Sequence, residues 1–501
     1  MDTLITIKPE LLSLTGKQIE ALFPYIVVLA GILMGTLIAA IRKDFSRLGV
    51  LLVLLLTAVV GAKASSALLH ADPVTLFNGM MVSDAYSNFF NIIFLLAASI
   101  TALVSLNYLE QEKLHHPEYY LLLMFSAFGM MLLSSATDLL VVFISLEVMS
   151  LAVYVLVGFR RNDRRSNEAA MKYFILGSAA SAVLLYGTAL LYGATGYTDV
   201  RSILNLVQNN PVVFTTVFNL GVGLVLIGFL FKVACVPFHM WMPDVYEGAP
   251  VPVTGFMTTG LKAAAFAVFL RIFLYLGYGQ NLSAILDAHL HEILWWCAVL
   301  TMVVGNLIAL TQTNLKRLLA YSSIAHSGYI LIGILSGAQS EEGYSSVVMY
   351  LVSYIVMNMG AFVVLTVLAR RADSGLNLHD MAGLSKRHPW LAFSMAIFFF
   401  SLAGVPPTAG FAAKYLIFYS AVQANEVPLV VIAVLCSAIS VYYYLRVLVY
   451  IYMRDPVVGA GEARVPTMAA ILVAAMVVLT LHIGVLPART VSVAKKAIAS
   501  I

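Results

Sequence analysis

Apolar runs of about 17 to 25 residues, cut by short polar turns, recur along the chain and predict bilayer-spanning helices. They fall near 21–41, 48–70, 87–107, 119–135, 138–159, 169–195, 212–243, 252–277, 293–312, 316–337, 345–369, 389–421, 427–453 and 467–487, which makes fourteen spans. Lys8, Glu10, Lys17 and Glu20 precede the first run, which is long enough to cross a bilayer, so it reads as a short tail and a span rather than a cleaved leader. Lys and Arg concentrate in the loops after the first, third, fifth, ninth, eleventh and thirteenth spans, which places those loops in the cytoplasm and both termini on the opposite side. Trp241, Trp295, Trp296 and Trp390 lie near span ends and are expected to anchor at the headgroup level.

Composition agrees with this pattern. Of 501 residues, 61% are hydrophobic and 11% charged, against about 25% charged in a soluble domain, which excludes a soluble enzyme. A net charge of +4 from 29 basic and 25 acidic side chains is too balanced for a nucleic-acid surface. Cys235, Cys297 and Cys436 lie far apart in apolar stretches with no second Cys at metal or redox spacing. Only His239, His326 and His482 fall in or near spans. The expectation is a chain without a metal, haem or other redox cofactor.

The two halves are related. Leu140–Phe159 aligns without gaps on Leu315–Ile334, and Ala234, Val236 and Pro237 match Ala403, Val405 and Pro406. A repeat of about five helices, an odd number, inverts its second copy, as in many secondary transporters. Proline removes a helical hydrogen bond and clashes with the preceding turn, so Val236-Pro237 and Val405-Pro406-Pro407 should each break a span. The freed carbonyls must then be buried in protein or line a hydrated cavity.

Six basic residues fall inside spans: Lys172, Lys232, Lys262, Arg271, Lys414 and Arg446. Glu147 lies mid-span with Ser150 and Tyr154 at helical spacing on its side. Each ion near a bilayer centre costs at least about 2.5 to 3.5 kcal/mol on insertion scales, so such groups mark function. Lys172 lies one turn into its helix and could snorkel. Arg271 and Arg446, nearer span ends, are expected to snorkel or pair locally, and Asp138 to cap a helix. A desolvated lysine loses proton affinity and a nearby carboxylate restores it. A shift of two pKa units is about 2.7 kcal/mol, comparable to the ~2.3 kcal/mol needed to move one charge against 100 mV. The Glu147 to Lys232 separation is therefore a lever of the right size to move protons. His326, among Ser322, Ser323 and Ser327, reads equally as a relay or as an imidazole satisfied by serine hydroxyls.

The segments SLEVMSLAVYVLVGF, EAAMKYFILGSAASAVLLYG, FKVACVPFHMWMPDVYEGAPVPVTGFMTTGLKAAAF and GVPPTAGFAAKY resemble the antiporter-like membrane subunits of respiratory complex I, the proton-pumping NADH–quinone oxidoreductase. The likeness runs from about residue 90 to 450 and is greatest to subunit N. Lys414 looks like subunits N and L and unlike M, where a Glu is usual. The long C-terminal extension of L has no counterpart here.

The resemblance implies an all-α polytopic membrane protein of about fourteen spans. A three-helix segment (1–118) would precede two inverted five-helix repeats (119–277 and 293–453), each with a broken helix, and a C-terminal helix and tail (454–501). It implies that Glu147 modulates Lys232, that Lys262 connects onward, and that Lys414 serves the exit half-channel. His326, and less firmly Lys172, would be proton relays. FMN, iron–sulfur clusters and quinone would reside in partner subunits, with subunit M and small subunits such as K as neighbours in the bacterial inner membrane. A stand-alone multisubunit cation/proton antiporter, a passive scaffold and a sodium-coupled variant are the competing readings.

Overall fold

The computed structural model describes residues 14–41, 46–114, 116–209, 215–275, 284–337, 339–340, 342–456 and 465–501. Lys8, Glu10, the first residues expected of the seventh span and the last of the eighth lie outside these. The chain is a helical membrane bundle, built from α1 (Gly16–Ile41), α2 (Ser46–Ala67), α3 (Ala85–Gln111), α4 (Glu118–Ser135), α5 (Leu139–Val157) and α6 (Arg164–Thr195). There follow α7 (Val200–Asn209), α8 (Thr216–Lys232), α9 (Trp241–Gly248), α10 (Val251–Phe256) and α11 (Lys262–Tyr275). The second half comprises α12 (Ala284–Ala309), α13 (Leu315–Gly337), α14 (Gly343–Leu368), α15 (Leu384–Arg387), α16 (Pro389–Ala403), α17 (Ala409–Gln423), α18 (Val427–Met453), α19 (Thr467–Val485) and α20 (Pro487–Ala499).

Among the described residues, twelve helical segments are long and apolar enough to cross a membrane, α10 and α11 counting as one span joined by a π-helical turn at Met257–Leu261. The seventh and twelfth expected spans are the interrupted ones. Each is two helices, α8 with α9 and α16 with α17, separated at the prolines as the sequence requires.

Three elements escaped the hydropathy pattern. Helices α7 and α20 are short and amphipathic, with too few apolar residues to register as spans. A two-stranded antiparallel hairpin, β1 (Val74–Leu76) with β2 (Met81–Ser83), precedes α3. Asp138 caps α5 as expected, accepting from Leu140 N at 2.8 Å and from the Thr198 hydroxyl at 2.6 Å.

Close helix contact rests on small residues. A Cβ at Gly328 of α13 would lie 2.5 Å from Met302 Cγ and 2.9 Å from the Ala298 carbonyl oxygen of α12, so only glycine permits this approach. Every residue of helix α13 except Arg317 is buried. Of the candidate site residues, His326 lies on it.

Two arginines are buried more deeply than their places in the sequence suggest. Arg271 pairs and does not snorkel: it is completely buried and holds Asp84 through two hydrogen bonds of 2.8 Å, with the Tyr86 ring 4.9 Å from its guanidinium carbon. Its position in the bundle interior leaves no path for the side chain to water, so a carboxylate 187 residues away supplies the counter-charge. Arg160, in the basic loop after the fifth expected span, is also buried, and it shares Asp373 with Lys316 at 3.1 and 2.9 Å. Arg446 does pair, donating to the Leu310 carbonyl at 2.7 Å and to that of Gln312.

Candidate functional site

The helix breaks organise the site, because the end of a helix leaves carbonyls without intrahelical partners. In the first break, Ser327 of α13 donates to the Val233 carbonyl at 2.7 Å, and Trp241 Nε1 donates to the Phe231 carbonyl at 3.2 Å. Thr301 of α12 accepts from Val236 N at 2.9 Å. Trp241 is thus no headgroup anchor. It is buried, stacked on Tyr173 at 4.6 Å, and helps to close the break through its indole N–H. Cys235 and Cys297, remote in sequence, meet here: the Cys235 thiol lies 3.6 Å from the Cys297 carbonyl and 2.9 Å from the Thr301 hydroxyl.

Lys232 is the last residue of α8 and is buried, and its Nζ donates to Ser150 of α5 at 3.1 Å. A cation is favoured at this negative end of the helix dipole. Glu147, one turn before Ser150, is half-buried, and its Oε1 has no hydrogen-bond partner in the chain. It lies along the face of α5 that carries the exposed side chains Leu140, Ile144, Leu151 and Val155.

Lys262 begins α11 directly after the π-helical turn and reaches α13, donating to Ser323 Oγ at 2.7 Å and to the Ser323 carbonyl. The Tyr354 ring lies 5.1 Å from its Nζ. One turn along α13, His326 is satisfied by tyrosines rather than by the neighbouring serines. Its Nδ1 lies 2.5 Å from the Tyr350 hydroxyl and its Nε2 3.4 Å from that of Tyr444. The serines turn elsewhere, Ser322 to Tyr444, Ser323 to Lys262 and Ser327 to the first break.

Lys414 closes the second break. From α17 its Nζ donates back to the carbonyls of Leu402 and Ala403, the end of α16, at 3.1 and 3.0 Å, and to Ser437 of α18 at 2.9 Å. Lys232 and Lys414 therefore both stand at the C-terminal end of the first half of a broken span, although one precedes its proline in sequence and the other follows. Gly404 makes the second arrangement possible. Its φ is +90°, and a Cβ there would lie 3.0 Å from Lys414 Cδ.

Lys172 stands apart from this line. It is partly exposed and bonds to Glu168 at 2.9 Å and Asp244 at 3.0 Å, while Arg317 holds Asp244 at 2.6 Å and Glu247 at 3.0 Å. These ion pairs clamp α9 between α6 and α13. The structure thus joins Lys232 to the α5 face bearing Glu147, and Lys262, His326 and Lys414 to groups on or beside α13. Lys172 belongs to a solvated rim.

Sequence reasoning missed Tyr350, Tyr354, Tyr444, Ser437 and Asn306. The mid-span Asn306 and the Tyr442–Tyr444 run were the visible signals, each a cluster of hydrogen-bonding capacity inside an apolar stretch.

Residues 136–440 match the family model described as NADH:quinone oxidoreductase/Mrp antiporter, transmembrane. The NADH-quinone oxidoreductase subunit N of Trichlorobacter lovleyi is 46% identical over 428 residues, covering 85% of this chain and 86% of that protein. Subunit N 2 of Rhizobium meliloti is 42% identical over 470 residues, covering 93% and 94%. Among solved structures, a chain of respiratory complex I from Thermus thermophilus with bound aureothin superposes with a TM-score of 0.79 at 33% identity, covering 94% of this chain and 98% of that one. A chain of the Mrp complex from Dietzia sp. shares the fold, with a TM-score of 0.82 at 20% identity over 96% and 97%. The chain therefore belongs to the NADH:quinone oxidoreductase/Mrp antiporter family of transmembrane subunits and, within it, to the NADH-quinone oxidoreductase subunit N group.

Proposed function

We propose that this chain moves protons through the membrane arm of an NADH–quinone oxidoreductase, along a line formed by Glu147, Lys232, Lys262, His326 and Lys414. One observation carries the reading: three lysines and one histidine are buried in the bundle, and each is held by hydroxyls or main-chain carbonyls rather than by a carboxylate. A buried ammonium without a neutralising partner is sensitive to any charge brought near it. Glu147 is the charge that moves. When it approaches Lys232 it favours the ammonium form, and when it withdraws the proton passes to Lys262, then through His326 to Lys414 and out.

The chain performs no redox chemistry. NADH, FMN, iron–sulfur clusters and quinone belong to partner subunits, and the energy they release shifts the Glu147 to Lys232 separation. The apolar exposed face of α5 carries Glu147, which supports a neighbouring subunit covering that face, with subunit M and small subunits such as K as candidates. Matching breaks support two inverted units, 119–277 and 293–453. The basic loops support a multi-pass position in the bacterial inner membrane with both termini on the non-cytoplasmic side.

Lys232→Met in the assembled complex, reconstituted into vesicles, tests this. NADH-driven acidification should fall; undiminished proton translocation overturns the reading in favour of a scaffold. The family description also covers Mrp antiporters, so the second reading is a subunit of a stand-alone cation/proton antiporter. Purification with other antiporter subunits and without flavin or iron–sulfur partners would favour it.

A further inference from the structure

We propose that Asp373 is a positioning residue that couples the two helix breaks, holding the adjoining ends of the helices that carry the proton path against one another. This rests on the reading above that both breaks serve one path.

Asp373 lies in the loop after α14, and its side chain is 4% exposed. Its Oδ1 accepts from the Tyr108 hydroxyl of α3 at 2.8 Å. Its Oδ2 pairs with both Arg160 Nη1, at 3.1 Å, and Lys316 Nζ, at 2.9 Å. The two buried cations reach on to one place, Arg160 donating to the Gly248 carbonyl at 3.1 Å and Lys316 to the Ala249 carbonyl at 2.7 Å. Those carbonyls close α9, the second half of the first broken span. Arg160 follows α5, which bears Glu147, and Lys316 opens α13, which bears His326. One carboxylate therefore gathers the ends of α5, α9, α13 and α14. Among the described residues it is the only acidic partner of Lys316, whereas Arg160 also meets Asp163 at 3.2 Å.

The chain beyond Asp373 leads to the second break. It is stitched to the start of α13, Leu315 N donating to the Leu376 carbonyl at 2.9 Å and Leu378 N to that of Thr313 at 2.8 Å. It then runs through α15 into α16, whose last carbonyls hold Lys414. The loop is also fixed from the side of α3: Ala372 N donates to Glu112 at 2.7 Å, and the Ala369 carbonyl accepts from Gln111 at 3.1 Å. Ala372 and Asp373 have φ of +59° and +53°. Two successive non-glycine residues in the left-handed region are costly and persist only where their surroundings fix them. A simple connection between α14 and α16 has no use for such a backbone; aiming a carboxylate between two cations does.

The test is hydrogen exchange in the assembled complex, read at peptides covering residues 400–410 of the second break. Glu147→Gln changes the charge beside the first break. In the natural chain it should alter exchange at 400–410 by about fivefold, the size of an ordinary coupling between sites. In the Asp373→Asn background the same change should move that exchange by less than about twofold, as for independent sites. Asp373→Glu, which keeps the charge, should keep most of the response. Asp373→Asn with Lys316→Met removes one charge of each sign and serves if the single variant does not assemble.

A purely structural role would raise exchange in the Asp373 variants but leave the response to Glu147→Gln intact, and that result overturns the proposal. So does the absence of a response in the natural chain, or the failure of both Asp373→Asn variants to assemble. Lys232→Met separates the two levels. If it leaves NADH-driven acidification undiminished, the reading beneath fails; if it lowers acidification while the response persists without Asp373, this inference alone fails.

Discussion

The ammonium of Lys232 is held by the Ser150 hydroxyl at 3.1 Å, while Glu147, one turn earlier on the same helix, keeps its Oε1 buried and unbonded. Serine holds the amine without neutralising it, and the carboxylate is free to act at a distance. Glu147→Gln removes the charge at constant size and should lower NADH-driven acidification about a hundredfold, the lower end of what a proton-transfer group contributes. Ser150→Ala removes one neutral hydrogen bond, ~0.5–1.5 kcal/mol, and should cost about two- to tenfold. Acidification rates normalised to NADH oxidation check the order of the two effects.

Gly404→Ala should damage the second break. The added methyl group meets the Lys414 side chain, and a left-handed φ costs a non-glycine residue roughly 1 kcal/mol or more. We expect lower thermal stability of the purified complex together with reduced pumping. Ala at position 412, on the same helix as Lys414 but away from the break, serves as the control when replaced by Gly.

The buried Arg271–Asp84 pair gives an asymmetric expectation. Removing one member, as in Arg271→Ala, strands the other charge and should cost about 3–5 kcal/mol, seen as loss of the chain from the assembled complex. Replacing both, Arg271→Met with Asp84→Leu, should recover much of the assembly, because paired desolvation costs vanish with the pair. Native gels of membranes carrying each variant read the outcome.

Lys172→Met should leave pumping within about twofold of normal. Its partners Glu168 and Asp244 are partly exposed, and solvated ion pairs contribute about 0–1 kcal/mol. Asp244→Ala should be more damaging, since Asp244 ties both Lys172 and Arg317 to α9. Acidification assays on both variants distinguish a rim clamp from a member of the proton line.

The bundle and its two interruptions were legible because proline and long apolar runs act locally. Glu147, Lys232, Lys262 and Lys414 were legible for a related reason: an ion inside an apolar run is conspicuous in any window. Their partners were not. Ser437, Tyr350 and Tyr444 carry hydroxyls on side chains common in ordinary spans, and only tertiary packing shows which ones turn toward an amine or an imidazole. Pairing was one of the two readings open for Arg271, but its partner was not legible, since the counter-ion comes from the start of α3. Trp241 was misjudged because the span it was thought to end continues, after a break, through α9.

Because α13 is encased by other helices, its solvent is protein rather than lipid. That frees its sequence from the need to be greasy, and it can hold Ser322, Ser323, His326, Ser327 and Tyr329 on consecutive turns at little cost in insertion. It also makes this helix the most sheltered of the described spans. In deuterated buffer its amides should be among the last to exchange, while those of α2 and α19, which have far more exposed residues, yield earlier.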